Sequence, residues 1–222
     1  MANESSSRRF LVIGLGDVGH PLALALSDAG ADVVAVDEDM HRVDEVKDRL
    51  AFVVQGDVGD PDVLRAVEAH KADVAIVMIG KSFDATVCVV SALKDLGVTQ
   101  IVARAMSERQ RRVLEQVGAT RVLMVESDAG KALARSLLTP GALEVHQLAQ
   151  GYDVVQWIVP ASMIGKSLAQ LDFRRRFGLL VVAIGHQGEA RAEVPEPDRV
   201  LRAGDVLFVA GKHENIGRLG DA

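Results

Sequence analysis

The order of apolar and polar residues divides the chain into two parts. From residue 9 to residue 138, short runs rich in Val, Ile and Leu alternate with longer amphipathic stretches. The short runs are apolar throughout, which is typical of strands in a parallel sheet that helices cover on both faces. Six such strands are predicted, at residues 10–13, 33–36, 52–54, 74–79, 101–103 and 122–124.

The stretches between these strands predict helices. Five of them cover residues 21–29, 40–50, 62–69, 84–96 and 108–117, and a sixth covers residues 127–138. Thr139-Pro140-Gly141 then ends the pattern. Regular alternation of strand and helix implies right-handed crossovers, so the sequence predicts an α/β domain with a Rossmann-like, doubly wound parallel sheet.

The second part has denser turn signals and shorter apolar runs. Strands are expected near residues 154–159, 179–184 and 206–210, with one helix near 168–176. This pattern predicts a small α+β C-terminal domain. The expected organisation is a disordered tail at 1–7, a nucleotide-binding domain at 8–138 that includes the helix 127–138, and a C-terminal domain at 139–222.

Composition excludes several classes of partner. A net charge of −6 argues against binding to nucleic acid, which requires a basic surface. No apolar run approaches the roughly 20 residues that span a bilayer, so we expect no direct membrane insertion. The polar residues 1–7 indicate a tail rather than a signal peptide. The single cysteine, Cys88, fits a reducing cytoplasm and is expected to be buried in the core.

A glycine-rich turn, GLGDVG at 14–19, joins the first strand to the first helix. Gly14 is expected to allow the tight turn, Gly16 to let backbone approach a pyrophosphate, and Gly19 to let the helix pack closely on the sheet. The amides at the start of this helix, around Asp17 and Val18, would form an anion site. This context predicts a dinucleotide-type phosphate site.

Acidic residues follow the second strand. Asp37 at its end is expected to accept hydrogen bonds from the ribose hydroxyls of an adenosine, although a solvated carboxylate at a strand end is the alternative. Together with Glu38 it would repel a 2′-phosphate, so the site is expected to reject NADP.

Two further loops lie where ligands bind in open α/β sheets, beyond the carboxyl ends of the strands. Asp57 and Val58 follow the third strand and are expected to border the adenine. Gly80 and Lys81 follow the fourth strand and would face the same crevice, although a solvated lysine is an equal alternative.

The residues expected of a nicotinamide enzyme are missing. Hydride transfer needs a substrate pocket and a group that moves a proton near the reacting carbon. Tyr152 is the only tyrosine, lies in the second part and has no lysine four residues later. The six histidines show no pair at metal-ligand spacing. We therefore expect no catalytic residues.

From about residue 8 to its end, the chain resembles the RCK (regulator of potassium conductance) family, specifically the cytosolic regulatory subunits of Ktr/Trk-type potassium uptake systems with TrkA-N and TrkA-C domains. The resemblance rests on several segments in order. These are FLVIGLG at 10–16, VAVD at 34–37, QGD at 55–57, VLEQVGA at 113–119, VESDAG at 125–130, RFGLLVVAI at 176–184 and LRAGDVL at 201–207.

The resemblance implies a partner and an assembly. Family members form dimers that assemble into octameric rings, and the rings dock on a membrane-embedded potassium channel or transporter. The protein is then expected in the cytoplasm, held at the inner membrane through its partner. The helix 127–138 is similar to the family's crossover helix, which exchanges contacts between two subunits.

The resemblance also implies ligands. An adenine nucleotide, either ADP or ATP or NAD(H), is expected in the first domain. Arg104 matches a basic position that offsets phosphate charge. Glu126 matches a carboxylate that helps hold a divalent cation, Mg²⁺ or Ca²⁺, and its alternative is an acidic residue near a helix start.

Two residues depart from the family pattern. Asp17 stands where ATP-sensing relatives carry an arginine, which favours ADP or NAD(H) over a triphosphate. Leu180 stands where relatives that bind cyclic di-AMP carry a polar side chain, so this ligand is not predicted for the C-terminal domain.

Three functions remain to be distinguished. The leading hypothesis is a gating subunit whose oligomeric ring changes shape with the bound nucleotide. The alternative is a small NAD-dependent oxidoreductase. The third is a scaffold that a nucleotide stabilises without switching.

Overall fold

The six predicted apolar strands form one parallel sheet. The structure, a computed structural model, describes residues 8–80, 82–189 and 191–221. The strands are β1 (Arg9–Ile13), β2 (Asp32–Asp37), β3 (Phe52–Gln55), β4 (Val74–Val77), β5 (Ile101–Arg104) and β6 (Arg121–Leu123). Their order is β3-β2-β1-β4-β5-β6, and all neighbours are parallel. The predicted doubly wound sheet is confirmed, with its switch in strand order between β1 and β4.

Helices connect these strands as predicted, with shifted ends. They are α1 (Gly19–Asp28), α2 (Met40–Val46), α3 (Pro61–Ala66), α4 (Phe83–Asp95), α5 (Glu108–Val117) and α6 (Val125–Leu138). Side chains fix several starts: Asp39 accepts a hydrogen bond from the His41 amide at 3.0 Å, and Ser82 accepts one from the Ala85 amide at 3.2 Å. Helix α2 ends at Val46 rather than at residue 50.

The sheet is buried on both faces, which explains its uniformly apolar strands. Leu11 and Ile13 of β1 pack in one cluster with Val89 of α4. Val12, between them, points to the opposite face and belongs to a second cluster with Ala23 of α1. Alternate residues of one strand therefore serve two cores.

Cys88 lies exposed on α4, so the prediction that it is buried in the core was wrong. The buried residues of this helix are Thr86, Val89, Val90 and Leu93, which recur with helical spacing and leave position 88 on the outer side.

The C-terminal part forms an antiparallel sheet. Its strands are β7 (Ala142–Ala149), β8 (Tyr152–Ile158), β9 (Leu179–His186), β10 (Ala192–Glu193) and β11 (Asp205–Lys212), in the order β10-β9-β11-β8-β7. Strands β7 and β10 were not predicted from the sequence. The buried Trp157 lies in the core of this sheet, and its indole N–H donates to the Pro140 carbonyl at 3.0 Å.

The helical region of this part also differs from prediction. The single helix expected near 168–176 is two short helices, α7 (Leu168–Leu171) and α8 (Phe173–Arg176). Asp172 between them has a left-handed backbone with φ of 43°, and this conformation interrupts the helix. A further short helix, α9 (His213–Ile216), follows β11. Leu180 of β9 is exposed.

Helix α6 lies at the border of the two compact units, the first of which ends at Glu126 and the second of which begins at Ser127. Most of α6 therefore falls in the second unit, whereas the sequence assigned it to the first domain. None of its residues is buried. The boundary at 138/139 stays a prediction, and the expected disordered tail at 1–7 lies outside the described residues.

Within the described part of the chain, no helix has both the length and the apolar character that a bilayer crossing requires.

Candidate nucleotide-binding site

A cavity of about 350 Å³ lies in the first unit at the carboxyl ends of the parallel strands. This is where ligands bind in open α/β sheets, and the volume falls in the range of small-molecule sites. Nine predicted site residues line it: Gly14, Gly16, Asp17, Asp37, Glu38, Asp57, Val58, Gly80 and Arg104. Of the other predicted residues, Val18, Gly19 and Glu126 are not in its wall, and Lys81 lies outside the described residues.

Each glycine of the turn has a separate geometric reason. Gly14 has φ of +93°, and a β-carbon there would lie 3.0 Å from the backbone carbonyl of Met78. A β-carbon on Gly19 would lie only 1.8 Å from the Gly14 carbonyl oxygen. At Gly16 the nearest atom would be an Arg42 nitrogen at 3.8 Å, so this position faces open space. The fold itself therefore requires Gly14 and Gly19, while Gly16 leaves room beside the backbone for a ligand.

The turn leaves the start of α1 open to an anion. The cap residue Val18 has no side-chain oxygen to accept from the first amides of the helix, and the first turn contains no acidic residue. Helix N-terminal amides and the helix dipole favour a negative ligand at such a place. The cavity reaches Asp17, immediately before this end.

Asp37 ties the glycine turn to the second strand. Its side chain is buried, with the residue only 4% exposed. One carboxylate oxygen accepts from the Leu15 amide at 2.6 Å, and the other accepts from the Asp39 amide at 2.9 Å. The strand-end carboxylate is therefore not simply solvated. It holds the turn in place and lines the cavity.

Arg42 on α2 is a site residue that sequence reasoning missed. Its guanidinium Nη1 lies 3.4 Å from Asp37, and its Nε lies 3.9 Å from Asp39. The side chain is 33% exposed and lines the cavity. An arginine five residues after a strand-end aspartate forms no motif; only the fold of α2 back over β2 brings it here.

Other lining residues were also missed, namely Val36, Met78, Ile79, Ser82 and Ala85. Met78 and Ile79 belong to the run predicted as strand at 74–79, but the strand ends at Val77 and the two residues turn into the cavity wall. Ser82 caps α4. Apolar walls with a few polar groups are usual in sites for small molecules.

Arg104 places a second cation in the cavity wall. Its side chain is 14% exposed, and its guanidinium Nη2 donates to the Glu126 carboxylate. Its Nε is buried and has no hydrogen-bond partner among the described residues. A buried, unpaired N–H of a charged group is costly, so this nitrogen is suited to a ligand acceptor such as a phosphate oxygen.

The loop after β3 brings its own acceptor to the cavity. Asp57 is exposed and accepts from the Gly59 amide at 2.8 Å. The Gln55 side chain donates to the Glu38 carbonyl at 3.2 Å, which joins the loops after β2 and β3.

The described wall therefore carries four carboxylates, of Asp17, Asp37, Glu38 and Asp57, and two guanidinium groups. An anionic ligand has to be held mainly by backbone amides and by these two cations. No group of three or more potential metal-ligating side chains occurs in the part of the chain that the structure covers. The divalent cation at Glu126 stays a prediction.

Comparisons with known proteins match both parts of the chain. The TrkA-N domain model matches residues 10–125, and the TrkA-C domain model matches residues 155–222. The Ktr system potassium uptake protein C of Bacillus subtilis is 31% identical over 95% of each chain.

Solved structures agree with the fold. The GsuK channel superposes with a TM-score of 0.70 at 18% identity, over 97% of this chain and 39% of that one. The Kef CTD of Shewanella denitrificans in AMP-bound form has a TM-score of 0.52 at 25% identity, over 60% of this chain and 80% of that one. With a TrkA-N and a TrkA-C domain in this order and a Ktr relative that matches nearly its whole length, the chain belongs to the RCK family of Ktr-type potassium uptake proteins.

Proposed function

We propose that the chain is a regulatory subunit that gates a membrane-embedded potassium channel or transporter, and that an adenine nucleotide in the cavity of the first unit is its signal. The observation that carries this proposal is the cavity itself, where a glycine turn, the buried Asp37 and the buried side of Arg104 converge. The Ktr relative and the AMP-bound Kef domain support the same assignment.

The charges in the cavity wall favour a nucleotide with few phosphate groups. Asp17 places a carboxylate at the glycine turn, next to the expected position of the phosphates. Like charges at short range raise the cost of each further phosphate. We therefore favour ADP or NAD(H) over ATP. A divalent cation would change this balance, and Glu126 would be its protein ligand once released from Arg104.

A gating subunit requires assembly with copies of itself and with a membrane partner. Leu133, Leu137 and Leu138 of α6 are exposed, which suits a helix that packs against a second subunit. In the proposal, dimers built on this helix assemble into an octameric ring that sits in the cytoplasm against the transporter. A nucleotide shifts the ring only if it binds its two shapes with different affinity.

The first test identifies the ligand. The purified full chain is denatured, and the released small molecules are analysed by mass spectrometry. Release of ADP, ATP or NAD(H) would support the proposal. Calorimetry on the ligand-free chain that reveals no affinity for any adenosine-containing compound would refute it.

The second test measures gating. The chain is reconstituted in vesicles with the potassium-transporting membrane subunit that copurifies with it, and flux is measured with ADP, ATP or NADH. Flux should differ between nucleotides and lose this dependence in Arg104→Met. Arg121→Met, an exposed arginine outside the cavity wall, is the control. Identical flux with every nucleotide would refute the gating role and leave the nucleotide-stabilised scaffold and the oxidoreductase.

The alternative, a small NAD-dependent oxidoreductase, needs a group in the wall that transfers protons. Of the described residues that line the cavity, none is His, the side chain that most often does so, and the carboxylates of Asp17, Asp37, Glu38 and Asp57 are the remaining candidates. Turnover of NADH with a substrate, lost when Asp37 is replaced, would instead establish the oxidoreductase.

A further inference from the structure

We propose that Arg42 recognises the 5′-phosphate next to the ribose and so makes the site select nucleotides over nucleosides. This inference rests on the proposed nucleotide binding and adds to it a residue that determines specificity. The supporting observations are the place of the guanidinium, its weak contacts and the charge of its surroundings.

The guanidinium lies between the two parts of the site that a nucleotide must bridge. Its Nη1 is 3.4 Å from Asp37, the residue expected at the ribose. The same nitrogen would lie 3.8 Å from a β-carbon on Gly16, where backbone is open to a pyrophosphate. A phosphate attached to a ribose held at Asp37 would therefore come within reach of Arg42.

The contacts of Arg42 within the protein are weak enough to be exchanged. Among the described residues, its guanidinium makes one hydrogen bond, to Asp37, which is long at 3.4 Å, and its contact with Asp39 at 3.9 Å is an ion pair beyond hydrogen-bond distance. A guanidinium has five N–H donors, so most of them remain available to phosphate oxygens. Phosphate offers a stronger, bidentate partner.

The charge of the wall makes such a cation necessary. Asp17 occupies the glycine turn, and Glu38 lies beside Asp37. Without a nearby cation these carboxylates would repel the first phosphate. The glycine turn itself contributes no positive charge here, since Asp17 carries a carboxylate. Arg42 supplies the positive charge from α2 instead.

A purely structural role for Arg42 makes a different prediction. Asp37 already accepts from the amides of Leu15 and Asp39, so its oxygens stay bonded when Arg42 is removed. If Arg42 served only to shape the turn or the ribose pocket, its loss would weaken adenosine and AMP equally. The ratio of the two affinities separates the roles.

The experiment compares Arg42→Gln with wild type and with Arg65→Gln. Arg65 is the matched control because it pairs with Asp62 three residues earlier, as Arg42 does with Asp39, and lies outside the cavity wall. Affinities of the ligand-free full chain for adenosine, 5′-AMP, 2′-AMP and ADP are measured by displacement of one fluorescent adenine nucleotide. Circular dichroism checks folding, and Arg42→Lys replaces Arg42→Gln if the latter unfolds.

We expect Arg42→Gln to lose about tenfold in affinity for 5′-AMP and ADP and less than about twofold for adenosine. Arg65→Gln should match wild type. An equal loss for adenosine and 5′-AMP would overturn the inference, as would a loss confined to 2′-AMP. Failure of the wild-type chain to bind any of these compounds would instead refute the proposed function.

Discussion

Replacing Asp37 by Asn tests whether this buried carboxylate holds the glycine turn. In the wild type its two oxygens accept from the amides of Leu15 and Asp39, at 2.6 and 2.9 Å. An asparagine of the same shape has only one acceptor oxygen, and its NH₂ group would face the other amide. Either the buried amide of Leu15 or the partly buried amide of Asp39 would then lose its partner.

The expected cost follows from this count. A buried donor left without a partner costs about 1–3 kcal/mol, and hydrogen bonds to a charged acceptor are stronger than those to a neutral one. Removing a buried charge recovers part of this energy. We expect Asp37→Asn to lower the free energy of unfolding by about 2 kcal/mol, which lowers Tm by roughly 4–8 °C in a chain of this length.

Thermal melting of the ligand-free chain and amide hydrogen exchange measure the two consequences. Exchange at Leu15 or Asp39 should accelerate in Asp37→Asn, because one of these amides loses its acceptor. Asp60→Asn is the control, since Asp60 also accepts from the amide two residues later, at 2.9 Å, but is exposed, and Asn caps helices as well as Asp. Wild-type stability within about 0.5 kcal/mol, with both amides still protected, would refute the reasoning.

Three further predictions concern other parts of the chain. Gly19→Ala should lower the free energy of unfolding by about 3 kcal/mol or more, because its β-carbon would meet the Gly14 carbonyl, whereas Gly30→Ala, with φ of +83° and open space around it, should lower it by only about 1 kcal/mol. Urea unfolding of both variants measures the two costs, and equal costs would contradict the prediction. Trp157→Phe should cost about 1–3 kcal/mol by the same assay, because the Pro140 carbonyl loses its donor and the core loses volume; an unchanged midpoint would argue against both contributions. The pKa of Glu68 lies below its usual value because Lys71 donates a hydrogen bond to it and adds positive charge, so the stabilisation from this ion pair is present above the usual carboxyl pKa and is lost as pH falls through the lowered pKa. An NMR titration of Lys71→Met should show the pKa of Glu68 rising toward its usual value, and no change would contradict the pairing.

The sequence predicted the sheet because short runs that are apolar throughout are typical of strands buried on both faces of a parallel sheet. All six parallel strands were found from such runs. Of the nine predicted residues that line the cavity, most followed from the glycine turn and from the loops at the carboxyl ends of the strands, whereas Arg104 followed from the family resemblance. Strand β7 was missed because only Val145 of its eight residues is buried, so its sequence shows no alternation.

Two errors have a common cause. Cys88 stands in an apolar run, and composition alone suggested burial, but the helical period places it outside. Arg42 was missed because its neighbours along the chain form no motif, but α2 brings it back toward β2 and into the cavity wall. In both cases the residue's neighbours along the chain differ from its neighbours in space. Which face of the helix the residue occupies, and what that face packs against, determines its surroundings.

The arrangement of Asp37 and Arg104 bears on where a conformational signal can arise. Asp37 keeps its two amide partners whether or not a ribose is present, because a carboxylate has about four acceptor sites and only two are taken by these amides. We therefore expect the ribose side of the cavity to be formed before a ligand binds, so that its occupation alone shifts no conformational equilibrium. Arg104 differs, because its guanidinium is paired with Glu126 at the start of α6 while its Nε has no hydrogen-bond partner within the described part of the chain. A phosphate that takes this guanidinium competes with Glu126, and a ligand without a phosphate at that place does not. Since a ligand shifts an equilibrium only by its difference in affinity for the two states, we expect the switch to depend on the phosphate end of the nucleotide rather than on the adenosine.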